Sequence, residues 1–490
     1  EPSAEQTPAL AWKDIGGAAA AAGPAAAAAQ EALARDSELR LTLALSTIFS
    51  RFIHLVESQF ASDKQIRQSI ATAFTQKCNE GLEVVTLPTA GVGATSTPAG
   101  KVGADKSAQS PSLGEIFASH LDLLCRRELK DASLVDADGE TRRIEVIVTL
   151  LMYLNERDIF QESHRGKLAK RLLQTTPNMD LENQVLSRLQ RSLGKTFTFK
   201  MEAMLRDFAL TGELQRLYAA DQEARLKTAE YSGSAEKAEL VVHVLTASHW
   251  PAYRCDPMQA PKSLDACLRS FRHFYATQHA SRTLSWVHAL GTAQLQVLFP
   301  KGVKDITCSV FQASILLTIA SASSTSGRGG TNVADVARLV NLALPMVKMH
   351  TASMYLHKVF PLLTLVDSNG KPCPPNKQFH EGDLLALNPG FVHKLRKFKL
   401  AAPVAAKKEG ESGRQEIETL RKAQADAAIV RIMKSRRTLL FPELEEQACQ
   451  QLSKLFVPPP KLLKLRVEDL ISRGYIQRDE SDRNKFHYIA

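Results

Sequence analysis

IVRIMKSRR, spanning Ile429 to Arg437, has the spacing of a half-buried helix. At about 100° per residue, Ile429, Val430, Ile432 and Met433 share one face, while Arg431, Lys434 and Ser435 project elsewhere. Lys434 therefore lies on the polar flank of a packed helix, with Arg431, Arg436 and Arg437 close in sequence. Physics alone gives a solvated basic face. The residues that follow add organisation: PELEEQACQQLSKLF (442–456) predicts a second helix, with Pro442 suited to its first turn and Leu444, Ala448, Leu452 and Phe456 at helical spacing. Three prolines (458–460) stop it; KLLKLRVEDLISR predicts a third helix ended by Gly474, and YIQRDE with KFHYIA predicts a terminal hairpin. Three helices and a hairpin make a winged helix, a module used for DNA and for protein contacts alike.

Taken together, IVRIMKSRR, LEEQACQQLSKLFVPPPKLLKLRVEDLISRGYIQRD and the terminal FHYIA resemble the carboxy-terminal winged helix of the cullins. The resemblance implies that Lys434 is the lysine conjugated to the ubiquitin-like modifier of neddylation. It extends from about residue 40 to the end. FIHLVESQFASDKQIRQSIATAFTQKCNE resembles the close of the last cullin repeat; VTLLMYLNERDIF, GKLAKRLL, LENQVLSRLQRSLGKTFTFKMEAMLRDF and LTGELQRLY resemble the helical bundle that follows. ELVVHVLTASHWP and LSWVHALGTAQLQVLF, with β-branched alternation, resemble the mixed helix-and-strand domain. The chain departs from the family in having Ser163, His164 and Arg165 where a tyrosine commonly precedes LAKRLL.

The fold class expected is mainly α with a smaller α/β part: a helical repeat end, a helical bundle, a mixed α/β domain and two winged-helix modules. The expected division is a low-complexity tail over 1–34, the repeat end over 35–85, a linker over 86–111 and the bundle over 112–235, with about four or five helices up to residue 217. The α/β domain takes 236–308 and 377–400 around a first winged helix at 309–376; a linker over 401–414 precedes the terminal winged helix, 415–490.

Composition sets the outer bounds. With 490 residues the chain exceeds one core, and roughly three or four domains are expected. A net charge of +10 predicts attraction to acidic partners without choosing among them. Seven scattered cysteines with no CxxC pair suggest neither a disulfide framework nor a zinc site. No run of about 18 apolar residues is evident, so no membrane span is expected. The start at Glu1 suggests a fragment.

No HExxH, GxSxG, P-loop or kinase signature appears, so no catalytic residue, metal or cofactor is expected; the resemblance implies the role of a non-catalytic scaffold. The resemblance implies the partners. A RING-box protein adds a strand to the α/β domain, and Leu284, Trp286, Leu295, Val297 and Phe299 are the candidate residues of the receiving strands; strand addition is physically apt because a sheet edge offers unpaired N–H and C=O groups. The individual Trp250 and Trp286 side chains are expected to pack in the core. Lys167, Lys170 and Arg171 are the candidate basic patch for the acidic tail of a ubiquitin-conjugating enzyme. An exchange factor and a deneddylase complex follow by resemblance, as does a cytoplasmic and nuclear location. The substrate adaptor is reached only through repeats this chain lacks. The other class considered is a basic winged helix binding nucleic acid through Lys461, Lys464 and Arg466; Glu468 and Asp469 on the same helix oppose it, and no nucleic acid is expected.

Overall fold

In the computed structural model the described residues are 24–60, 63–80, 111–128, 137–174, 177–227, 239–300 except 254, 302–326, 330–355, 361–366, 384–400, and 409–489 except 480, 481 and 483. Residues 1–23 of the expected tail and 86–110 of the expected linker lie outside them. The chain divides into two units: Glu1–Lys167, Pro177–Thr198 and Arg421–Ala490 form the first, and Leu168–Thr176 with Phe199–Leu420 the second.

The chain opens with helices α1 (Pro24–Gln59) and α2 (Lys64–Asn79). The alanine run expected as a tail is thus helical from Pro24: alanine has the highest helix propensity, and extending a helix already nucleated costs far less than starting one. Within α1, Glu38–Gln59 is by length and composition apolar enough to cross a membrane. It buries Thr42, Ser46, Phe49 and Val56 and packs against the next two helices, the habit of an amphipathic solenoid helix. These are α3 (Leu113–Cys125) and α4 (Ala137–Leu151); α5 (Arg157–Gln174), α6 (Met179–Leu193) and α7 (Lys195–Lys227) follow. Ser112 and Glu115 close a capping box on α3, Ser112 N donating to Glu115 Oε2 at 2.9 Å. Ile116, Phe117, Leu121, Ile144, Ile147, Phe160, Leu186 and Leu189 are buried in the first unit.

The second unit continues with α8 (Lys262–Gln278), β1 (Thr292–Phe299), β2 (Gly302–Ser309), α9 (Val310–Ser326), β3 (Thr331–Asn332), α10 (Val333–Val340), α11 (Leu344–Tyr355), β4 (Leu363–Val366), β5 (Leu384–Leu387) and β6 (Lys397–Lys399). One sheet has the order β1-β2-β6, antiparallel then parallel, and a second has β3-β5-β4. A single buried cluster, including Phe299, Ile306, Phe311, Ile315, Val336, Val347, Leu363 and Leu385, runs through both sheets and α9 to α11. A satellite cluster joins Tyr218, Val242, Phe271, Phe274 and Tyr275.

The strand expected over ELVVHVLTASHWP does not form among the described residues: 239–246 is extended but pairs there with no strand, and of Leu284–Phe299 only Thr292–Phe299 is strand. The alternation survives, since Leu240, Val242, Val244, Leu284 and Trp286 turn toward the satellite cluster. A side chain takes the place of a neighbouring strand: the Gln215 amide donates to Leu240 O at 2.7 Å and accepts from Val242 N at 3.4 Å.

The chain ends with α12 (Glu409–Arg436), β7 (Thr438–Leu440), α13 (Phe441–Leu452), α14 (Pro460–Ser472), β8 (Ile476–Arg478) and β9 (Lys485–Tyr488). The expected linker over 401–414 therefore yields to helix from Glu409. Sheet order β7-β9-β8 and two proline-started helices give the winged helix read from the sequence. Gly474, at φ +76°, takes the left-handed turn after α14 that other residues enter only with strain.

Candidate functional site

On α12, Ala425, Ala428, Ile429, Ile432 and Met433 are at most 2% exposed, a stripe at i, i+3, i+4, i+7 and i+8 that seats the helix against Leu444, Leu463, Val467 and Phe486. Each fully buried Ile or Met contributes about 1.5–3 kcal/mol. Lys434 stands off this stripe, exposed, in the last turn. Of its basic neighbours, Arg431 donates to Gln451 Oε1 at 3.2 Å.

The helix stops two residues beyond Lys434. Arg437 N still donates to Met433 O at 2.8 Å, but φ of Arg437 is +66° and the chain reverses into β7. A non-glycine residue in that region costs about 1–2 kcal/mol. Tyr488 N donates to Arg437 O at 2.9 Å, and the Arg437 guanidinium lies 5.9 Å over the Tyr488 ring, so the carboxy-terminal strand fixes the reversal. Lys434 is thus presented on a rigid turn rather than a free end.

Two polar assemblies hold the winged helix. Asp426 on α12 accepts from Arg466 Nε at 2.6 Å and Arg473 Nη2 at 2.6 Å, linking α12 to α14. Burial alone pushes the Asp426 carboxyl up, and the hydrogen bonds from Arg466 and Arg473 outweigh it and hold it below the ordinary carboxylate range. Arg421, earlier on α12, donates from Nη2 to Asp158 Oδ1 at 2.8 Å and from Nη1 to Glu156 Oε1 at 3.0 Å, and sits 5.2 Å over the Phe456 ring. Its burial works against the charge, and the bonds it donates to the Asp158 and Glu156 carboxylates more than restore it, so its pKa rises. Backbone bonds run beside this pair: Asp158 N to Leu455 O at 3.0 Å and Val457 N to Asn155 O at 3.2 Å. Arg157 Nη1 adds a bond to Ser453 O at 2.9 Å. The α4–α5 connection therefore grips the α13–α14 connection. Nothing in residue type or spacing signalled this grip, because its partners lie between 263 and 296 residues apart for the side-chain bonds of Arg421 and Arg157.

The candidate strand residues divide. Leu295 and Val297 pack inward on the large cluster and Phe299 is buried within it, so β1 presents its backbone edge rather than these side chains. Among the described residues β1 has one strand partner, β2. Leu284 and Trp286 lie outside any strand, on an extended stretch; Trp286 packs 6.0 Å from Phe271, and Trp250 is buried with Nε1 donating to Asp207 Oδ2 at 2.9 Å. Trp250 packs in the core, as the sequence suggests, while Trp286 is half-buried against the satellite cluster.

The basic triad on α5 does not form one surface. Lys170 is exposed and Lys167 half-buried, but Arg171 is 1% exposed and belongs to the interior. Helical geometry explains it: Arg171 lies about 60° from the buried Leu168, on the buried side of the helix. His164, at the position where the family has tyrosine nearby, is buried and stacks on Phe160 with centroids 5.4 Å apart.

Among the described residues no three His, Cys, Asp or Glu side chains gather as a metal site. Cys449 packs beside the winged-helix core, and burial pushes its thiol up, away from nucleophile chemistry. For nucleic acid the third helix is poorly equipped, since Arg466 is held by Asp426 and Asp469 and Lys464 lies 5.6 Å over the Phe441 ring.

Helical bundle, α/β sheet and a winged helix that presents Lys434 define a multidomain platform. The cullin alpha solenoid domain matches residues 23–215, the cullin alpha+beta domain 244–391 and the cullin protein neddylation domain 420–482. The chain belongs to the cullin family. Cullin-2 of Arabidopsis thaliana is 31% identical over 79% of this chain and 49% of its own length, and Cullin-3A of the same plant is 30% identical over 78% and 49%. The chain spans about half the length of the curated relatives it matches. A solved structure described as "A Dual E3 Mechanism for Rub1 Ligation to Cdc53: Dcn1(P)-Cdc53(WHB)" is 30% identical over 18% of this chain and 99% of its own, with a TM-score of 0.16.

Proposed function

We propose that this chain is the carboxy-terminal scaffold of a cullin-RING ubiquitin ligase, non-catalytic itself and switched by neddylation at Lys434. The observation that carries the reading is the exposed Lys434 on the last turn of α12, inside the segment matched by the neddylation domain and just before the fixed reversal at Arg437. A RING-box protein adds its strand to the α/β domain, where the edge of β1 and the extended stretch at 239–246, neither with a further strand partner among the described residues, offer backbone groups for pairing. A ubiquitin-conjugating enzyme is drawn by α5 through Lys167 and Lys170, with Arg171 left out because it is buried. The scaffold's contribution is proximity: it holds a charged enzyme near substrate and raises effective concentration by geometry. The modifier, an exchange factor and a deneddylase complex engage the winged helix, and the protein works in cytoplasm and nucleus. Substrate choice lies with an adaptor bound elsewhere in a longer assembly.

Intact mass after incubation with neddylation enzymes and a RING-box protein tests this. One modifier on the wild type and none on Lys434→Arg is the expected result. No adduct despite a stable RING-box complex removes Lys434 as the switch, and failure to hold the RING-box protein removes the scaffold itself.

A further inference from the structure

Between α1 and α4, both in the first unit, lies an elongated groove of about 640 Å³. One wall is a single face of α1 from Leu43 to Leu55, at i, i+3, i+4, i+7, i+8, i+11 and i+12, so it runs for about 18 Å. The other wall is α4 at Gly139, Arg142, Arg143 and Val146. Leu43, Leu55 and Val146 make the lining apolar, Arg51, Arg142 and Arg143 make it cationic, and none of the described lining residues is acidic. The acids nearest in sequence on these helices face other partners: Glu57 pairs with Arg67 at 3.2 Å, Glu140 with Arg127 at 3.7 Å and Glu145 with Arg188 at 3.3 Å. Arg51 and Arg142 are exposed and have no ion pair among the described residues. Ser46 Oγ, in the α1 wall, is buried and finds no hydrogen-bond partner among them.

Buried hydroxyls are ordinarily hydrogen-bonded, so an orphan one in the wall of a cationic groove marks a place for a polar group from outside. We infer that the groove binds a small amphiphilic anion, a carboxylate head on a linear apolar tail, which is the chemistry of a free fatty acid. The arginines supply forked N–H donors that match a carboxylate, Ser46 supplies a hydroxyl, and the apolar lining takes the tail. Size decides against a protein helix as the occupant. Three turns of helix, about 10 Å across and about 18 Å long, fill roughly 1,400 Å³, more than twice the groove, whereas 640 Å³ is within the ordinary range for a small-molecule site. A bare anion such as phosphate leaves the apolar lining wet and uses only part of the site. The inference rests on α1 and α4 alone and is independent of the scaffold reading, which uses α5, the α/β domain and the winged helix.

Fluorescence titration of the full chain with dansyl-aminoundecanoate tests it, beside the methyl ester of the same probe and with inorganic phosphate as competitor. The acid is expected to bind about tenfold tighter than the ester. Arg51→Glu combined with Arg142→Glu should erase that difference, while Thr47→Trp, which fills the groove from its α1 wall, should weaken both ligands about tenfold. All three positions are exposed, and unchanged thermal unfolding verifies that the variants fold. Equal binding of acid and ester, displacement of the probe by phosphate alone, or a signal that Thr47→Trp leaves intact would each overturn the proposal. An acidic helical peptide that displaces the probe and loses affinity with the same substitutions would overturn it in favour of a protein segment.

Discussion

Two modules in this molecule share one topology and differ in how they are held. Each runs helix, strand, two helices, strand, strand: α9 to β5 in the second unit and α12 to β9 in the first, with the last strand central in both sheets, β3-β5-β4 and β7-β9-β8. The earlier module has no core of its own, because its residues merge with those of β1 and β2 in one cluster. The later one has a separate core and is attached by polar contacts: the Arg421 ion pairs and the backbone bonds between 155–158 and 455–457. An apolar core merges cooperatively and resists partial opening, whereas ion pairs and a few hydrogen bonds can be exchanged for water or for another partner. The same topology thus shares its core with a neighbouring sheet in one place and keeps a separate core in the other, and the copy with the separate core carries Lys434.

Removing the grip should have the largest effect. Arg421→Ala leaves Asp158 buried without its guanidinium, and breaking a buried pair costs about 3–5 kcal/mol. Amide exchange should quicken at 155–158 and 453–457, with Asp158→Ala added to Arg421→Ala recovering part of the loss; unchanged exchange would show the attachment lies elsewhere.

Core truncation sharpens the contrast. Leu463→Ala and Leu385→Ala each remove a fully buried leucine, at about 2–5 kcal/mol. Exchange should rise only within 421–489 for Leu463→Ala, but from β1 through β5 for Leu385→Ala. Equal spreading in both would erase the distinction between separate and merged cores.

Acid should separate the modules more gently. Burial holds His350, packed on Phe311, below its ordinary value of 6.5, and Asp426 lies below its ordinary 3.8. A depressed pKa means that the folded state binds fewer protons, so stability is full above the unfolded value and declines as pH falls toward the folded one. The earlier module should therefore weaken from about pH 6.5 downward, and the later one only below about pH 4. Urea unfolding across that range, read by exchange in each module, checks this, and His350→Phe should flatten the upper part.

Much of this was legible in the chain. The α12 stripe, the proline-started helices and the terminal hairpin follow from periodicity and stop signals, and Lys434 sits off the buried stripe as that spacing requires. Other features were not legible, for physical reasons. At Arg171 residue type suggested a surface while the helical angle put the side chain on the buried side of α5, beside Leu168, and the angle won. At 239–246 alternation marks which side chains turn inward, yet a strand also needs a partner, and the chain supplies the Gln215 amide instead. The grip of Asp158 on Arg421 depends on contacts that no local pattern encodes.

The most direct test of a detachable, lysine-bearing module is amide exchange on the full chain before and after conjugation of the modifier to Lys434. Protection should fall at 155–158 and 453–457 and hold in α9 to β5. Unchanged protection at the grip, or equal loss in both modules, would contradict the account.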